Sequence, residues 1–185
     1  MSAIYKPAVE ALRRGGTVLY PTDTIWGLGC DATNEAAVER VYAFKQRPPQ
    51  KALIVLLSDV GLLDRYLVRV PDIAWDLVEF AEKPLTVVYP QGKNVAPNLL
   101  GEDGSLAIRV VKDGFCRGLL QAFGKPLVST SANLSGQPSP ERFAQVPEEL
   151  VKGVDYVLNG PENVGAPPST IVRLGLNGEF EFLRK

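Results

Sequence analysis

Five stretches of the sequence set chemically able side chains at a spacing that could do work. Lys45-Gln46-Arg47-Pro48 places two cations two residues apart, with Lys51 close behind. On extended backbone, residues i and i+2 share a side. A chain that has left its helix by Lys45 therefore aims both charges at one point. Such a pair suits a polyphosphate, because Arg offers a planar fork and Lys a compact charge. A solvated helix end favoured by the dipole is the plainer account. Ser129-Thr130-Ser131-Ala132-Asn133 is the second stretch. Alternation puts Ser129, Ser131 and Asn133 on one face, where they can hold phosphate, ribose or a base edge. A Ser/Asn turn ahead of Gly136 is the alternative.

Arg109 stands between Ala107-Ile108 and Val110-Val111, inside an otherwise apolar strand. A cation placed there needs an anion, either a structural carboxylate or one carried by a substrate. Ser169-Thr170 opens a terminal hairpin that Arg184 closes, so pairing brings the two together. In Thr17–Ala32, a β-branched and aromatic strand reaches Pro21, where regular pairing is expected to stop. Thr22, Asp23 and Thr24 crowd its exit, and Gly27 and Gly29 follow. Glycines there let another group approach closely, and Trp26 beside them is expected to wall a pocket. Strand exits of this kind are where open α/β sheets build ligand crevices.

The elements that must position these groups follow from the pattern. Lys6–Arg14 has helical spacing and stops at Gly15-Gly16. Asn34 caps a helix with Ala37, Val38, Val41, Tyr42 and Phe44 on its apolar side, ending near Gln46 because Arg47 precedes proline. Ala52–Leu57, Leu85–Tyr89, Leu106–Val111 and Asp155–Leu158 read as strands, with Pro126-Leu127-Val128 a short one. Gly101–Gly104 turns between the second and third of these. Asp59–Leu67, Pro71–Glu82 and Gly114–Phe123 read as helices, and Pro140–Gln145 as a helix start. Thr170–Leu174 and Glu179–Leu183 flank Asn177-Gly178, a two-residue hairpin signal. Strands alternating with helices early and paired late imply an α/β fold, a mixed sheet with helical layers, in a single domain over 1–185.

The sequence has no histidine among its 185 residues, which excludes a Ser-His-Asp triad, a Cys-His pair and a His-ligated metal. Cys30 and Cys116 are far apart and read as buried thiols in a reducing compartment. No apolar run approaches the ~20 residues that span a bilayer, and the first residues lack a signal-peptide core, so a cytoplasmic protein without a membrane partner is expected. Net charge is −1, which does not imply a broad nucleic-acid face. Neither of the standard glycine-rich nucleotide cradles is present.

Taken in order, the motifs resemble the YrdC-like domain family, short-form threonylcarbamoyl-AMP synthases. The resemblance rests on Pro21-Thr22-Asp23-Thr24-Ile25-Trp26-Gly27-Leu28-Gly29, Lys45-Gln46-Arg47-Pro48, Leu106-Ala107-Ile108-Arg109, Ser129–Gly136 and Ser169-Thr170-Ile171-Val172. It departs at Val111 and Asp113, at Lys51-Ala52-Leu53 and at Glu82-Lys83-Pro84. It implies a twisted mixed sheet around a deep, positively charged cavity, without the extra C-terminal domain of some members. The implied reaction makes L-threonylcarbamoyladenylate and pyrophosphate from L-threonine, bicarbonate (or CO2) and ATP with Mg2+. The product would pass to a separate tRNA threonylcarbamoyl-transfer complex, with RNA contact a further expectation. By this resemblance Lys45 and Arg47 are catalytic, and Lys45, Arg47, Lys51, Ser131, Asn133 and Arg184 hold ATP. Thr24, Arg109 and Ser169 fall near the threonine, and no metal ligand is assigned. A paralogue with another role and a non-catalytic RNA-binding module share the same resemblance.

Overall fold

The inner strands are buried almost without break, so side chains pointing to either face enter one of two layers about one sheet. The computed structural model describes residues 3–46, 53–112 and 114–184. Helix α1 (Lys6–Arg13) has proline in its first turn, where a missing N–H costs nothing, and buries Ala8, Val9, Ala11 and Leu12. Strands β1 (Val18–Pro21) and β2 (Trp26–Gly29) form a hairpin. Helix α2 (Glu35–Lys45) follows, capped by the Asn34 side chain on the Ala37 amide. It closes through Gln46, a left-handed residue at φ 46°.

Next come β3 (Ile54–Leu57), a 3-10 turn Val60–Leu62 leading into α3 (Leu63–Tyr66), α4 (Asp72–Glu79) and β4 (Leu85–Tyr89). A second 3-10 turn, Pro97–Leu99, precedes β5 (Leu106–Val110), and α5 (Gly114–Phe123) leads to β6 (Leu127–Ser131). A third, Phe143–Gln145, precedes α6 (Glu148–Gly153), β7 (Tyr156–Val157), β8 (Thr170–Leu174) and β9 (Phe180–Arg184). The sheet order is β7-β1-β2-β6-β3-β5-β4-β8-β9, with β1/β7, β3/β5 and β4/β8 parallel and the other pairs antiparallel.

Cross-strand partners share a face. On one face Leu19, Leu28, Val55, Leu57, Val87, Ile108, Val128 and Val172 join α2, Leu63, Tyr66 and Ala74 in the larger core. On the other, Val18, Tyr20, Leu56 and Leu127 pack under α1 and α5 with Leu12, Leu119, Leu120 and Phe123. Each such fully buried side chain contributes about 1.5–3 kcal/mol. The register carries this second face onward through Arg109, Thr86, Ile171 and Arg184, and through Ala107, Val88 and Arg173. Those residues line a cavity instead of packing under a helix.

Several expectations change. Pro21 stays in the ladder opposite Trp26, and Gly27 and Gly29 lie inside β2, not in a turn. The turn is made earlier, by Thr22, whose hydroxyl donates to the Ile25 carbonyl at 2.7 Å and accepts from the Thr24 and Ile25 amides at 3.0 and 3.1 Å. Trp26 sits in the core against Phe143 and donates to Glu162 at 3.0 Å, so it is not a cavity wall. Lys45 has not left its helix; it is the last residue of α2. Strand β6 runs to Ser131, beyond the expected Val128, because β2 and β3 pair along it. The β8–β9 connection is longer than two residues. Only Gly178 takes positive φ, 89°, and the Gly175 amide bonds the Glu179 carbonyl at 2.7 Å, as in a turn with a bulged glycine. Helix α6, short and burying only Leu150, went unread.

Gly29 shows what the close approach requires. A Cβ there would run into the Val128 carbonyl and lie 3.0 Å from both Leu127 and Tyr20. Gly29→Ala is expected to cost about 1–3 kcal/mol through forced displacement, seen as a lower urea midpoint at unchanged slope.

Candidate active site

Strands β3 to β6 and β8 supply the floor of a cavity of about 830 Å³, walled by the Thr22–Ile25 turn, the 98–105 loop and the end of β9. Its polar lining includes Thr22, Thr24, Thr86, Arg109, Ser129, Thr130, Ser131, Ser169, Arg173 and Arg184. Leu53, Ile54, Leu56, Val88 and Ile171 add apolar surface.

Arg109 is the most constrained of these. Its side chain is 6% exposed, and Nη2 donates to Asp23 Oδ1 at 2.9 Å. Nη1 reaches the Thr24 hydroxyl at 3.4 Å, a weak contact. Nε finds no acceptor among the described residues. Of the two kinds of anion open to it from sequence, the structure supplies a carboxylate of the chain. The guanidinium nevertheless keeps donors unused, which is costly for a buried cation.

Ser169 lies beside it in the cavity lining. Its hydroxyl is 2.8 Å from that of Thr86. Arg184 Nε and Nη2 donate to the Ser169 carbonyl at 3.0 and 2.7 Å, and Nη2 lies 3.2 Å from its hydroxyl. The hairpin thus joins Ser169 and Arg184 as its ends required. Burial lowers the Arg184 pKa, and the charge of Arg109 lowers it further, so the two guanidiniums share one field.

A third cluster stands at the β6 exit. Lys45 is buried, and its Nζ donates to the Ser131 carbonyl at 2.7 Å, to the Asn133 carbonyl and to Asn133 Oδ1 at 2.6 Å. Ser131 Oγ donates to Asn133 Oδ1 at 2.6 Å, and Asn133 Nδ2 donates to the Gln137 carbonyl. Ser135 Oγ caps the Lys45 carbonyl at 2.6 Å.

Thr24, Arg109, Ser131, Ser169 and Arg184 therefore line one cavity, and Lys45 and Asn133 adjoin it through Ser131. Arg47 and Lys51 lie outside the described residues. Thr130 lines the cavity as well, although alternation assigned it to the far face. Asp23 has no role assigned from sequence beyond its place in the strand exit, and Thr86 and Arg173 are not singled out there. For Thr86 the signal was present: it is the one small polar residue in the apolar run Leu85–Tyr89. Among the described residues, no group of three or more His, Cys, Asp or Glu side chains could hold a metal ion.

The family model described as "Telomere recombination", named for Sua5, YciO and YrdC, matches residues 10–185. The chain belongs to the Sua5/YciO/YrdC family. Curated members called threonylcarbamoyl-AMP synthase include one from Pseudoalteromonas translucida (strain TAC 125), 38% identical over 93% of each chain. Another, from Chromohalobacter salexigens, is 41% identical over 89% of each. Among solved members, E. coli YciO has a TM-score of 0.84 at 28% identity, over 98% of this chain and 88% of its own. P. abyssi Sua5 complexed with L-threonine has a TM-score of 0.83 at 30% identity, over 92% of this chain and 50% of the longer Sua5 chain. The twisted mixed sheet flanked by helices is thus the family fold.

Neither thiol of this family member belongs to the cavity lining. Both are buried, and burial raises both pKa values, that of Cys116 to about 12. Only the thiolate is a nucleophile. Native protein at pH 8 is expected to leave a disulfide reagent unreacted over minutes, and to titrate two thiols once unfolded in guanidinium.

Proposed function

We propose that this chain makes L-threonylcarbamoyladenylate and pyrophosphate from L-threonine, bicarbonate (or CO2) and ATP, the first step of tRNA threonylcarbamoyladenosine modification. One observation carries the reading: a buried, under-satisfied Arg109 beside Thr24 and Ser169 on the wall of one cavity. Such a site suits a small carboxylate that can also accept from, or donate to, hydroxyls. Family members named for this reaction, and one solved with L-threonine, support it.

In this reading the threonine carboxylate takes the free donors of Arg109, and Thr24 and Ser169 orient the rest of the amino acid. The nucleotide takes the other part of the cavity, with Ser131, Asn133 and Arg184 toward it and Lys45, Arg47 and Lys51 supplying positive charge. The deep cavity is then positively charged where the triphosphate lies. Magnesium arrives on the phosphates as part of that substrate.

The threonine amine and bicarbonate condense to a carbamate with loss of water. The carbamate is already anionic, so its oxygen attacks the α-phosphorus without a general base at that step. The P–O bond to pyrophosphate breaks as the new P–O bond forms. What this asks of the protein is charge neutralisation and alignment of reactants, which fixed cations and hydroxyls supply. A chain without histidine is equipped for it. The product then passes to a separate complex that transfers it to tRNA.

The test mixes protein, ATP, Mg2+, L-threonine and bicarbonate, and looks for the adenylate by mass spectrometry. Pyrophosphate release is expected to need both threonine and bicarbonate; equal release with either omitted sinks the reading. RNA bound tightly without turnover would favour a binding module instead. Arg109→Lys keeps the charge but loses the planar fork. Losing one charge-assisted hydrogen bond costs about 1.5–3 kcal/mol. The apparent threonine constant should therefore rise roughly tenfold to a hundredfold, with the ATP constant changing much less.

A further inference from the structure

Asp23 belongs to the turn that faces the cavity, yet its side chain is not part of the cavity wall, whereas its neighbours Thr22, Thr24 and Ile25 are. It meets Arg109 through Nη2 at 2.9 Å, and is 27% exposed where Arg109 is 6% exposed. The Thr24 hydroxyl meets Nη1 on the cavity side. Two consecutive residues of one tight turn therefore meet two different nitrogens of the same guanidinium, Asp23 through a short charged bond and Thr24 through a weak contact. Because that group is planar, the bond that holds Nη2 largely sets the direction in which its other N–H bonds point.

The turn is rigid enough to do this. The Thr22 hydroxyl closes it from within, bonding Ile25 O, Thr24 N and Ile25 N. Asn163 Nδ2 donates to the Thr22 carbonyl at 2.8 Å from outside, and the Trp26 amide is bonded to the Pro140 carbonyl at 2.9 Å. Asp23 therefore has a fixed backbone from which to reach Arg109.

We infer that Asp23 is a positioning residue for carboxylate recognition. It holds the Arg109 guanidinium from behind, so that the remaining donors face a substrate carboxylate in the cavity. This rests on the reading of the site as the threonine pocket. An opposing effect exists, since a negative charge at Asp23 repels an incoming carboxylate. The planar hold dominates here because a buried arginine freed on one side turns its donors toward whatever acceptor is nearest, and its Nε already lacks one.

The test measures apparent threonine and ATP constants for the wild type, Asp23→Ala, Asp23→Asn, Arg109→Lys and the double variant Asp23→Ala/Arg109→Lys. Asp23→Ala is expected to raise the threonine constant about tenfold or more, the value of one charged hydrogen bond, with the ATP constant within about threefold. Asp23→Asn keeps a neutral acceptor for Nη2, roughly half as strong, and is expected to raise it severalfold. In the Arg109→Lys background, Asp23→Ala should add little, because the residue acts through that guanidinium. A purely structural carboxylate would move both substrate constants together, or give the same increment in either background; each result overturns the assignment. So does a threonine constant that is unchanged or falls in either Asp23 single variant. Should Asp23→Ala not fold, Asp23→Asn alone and in the Arg109→Lys background carries the same comparison. Failure of the threonine-pocket reading itself is distinct, since the wild type would then show no threonine dependence at all.

Discussion

A positive charge that cannot leave the interior governs this structure. Arg109 lies on β5, with β3 on one side and β4 on the other, and its side chain is almost wholly enclosed. Enclosing a guanidinium is tolerable only when acceptors surround it. The chain brings those acceptors from a turn 86 residues earlier, where Asp23 and Thr24 stand side by side. That turn must be tight, and it must be anchored. Much of what is distinctive nearby follows from this demand: the Thr22 hydroxyl closing the turn, the Asn163 amide clamping it, and the hairpin β1–β2 carrying it to the sheet.

The position of the cavity has an equally simple cause. One face of the sheet is covered by α1 and α5 across β1, β3 and β6. Toward β4, β8 and β9 the same face continues without that cover, and its residues change from Leu56 and Leu127 to Thr86, Arg109 and Arg184. A sheet face without helices must be hydrated or filled by a ligand, so polar side chains appear where the helices end. The opposite face is mostly apolar from Leu19 to Val172, with Thr130 opposite Leu28 an exception, and supplies the rigid backing.

Much of this was legible in the sequence, for local reasons. Asn34 announced its helix because a cap bond spans three residues, and the pairing of Ser169 with Arg184 followed from the hairpin between them. The reading of Gly27 and Gly29 had the right cause in the wrong element: the close approach is real, but the intruding group is the Val128 carbonyl of a paired strand. What local pattern could not supply was partnership across distance. Nothing near Arg109 in the chain points to Asp23, and nothing near Lys45 announces that its ammonium turns onto Ser131 and Asn133. Thr86 was visible as a small polar residue in an apolar strand, yet its meaning came only with Ser169 beside it.

The parallel pairing of β4 with β8 sets Leu85 against Thr170. During synthesis, β4 is therefore made long before its neighbour exists. Until β8 arrives, the outer edge of β4 offers unpaired amides and carbonyls beside Val87, a standing invitation to the wrong strand. Contacts of such sequence separation are slow to form. The cavity also takes Ser169 and Ile171 from that late segment and Arg184 as its far wall, so the pocket is complete only on the finished fold. A ligand that needs those groups therefore rewards the finished fold more than a chain stalled before β8.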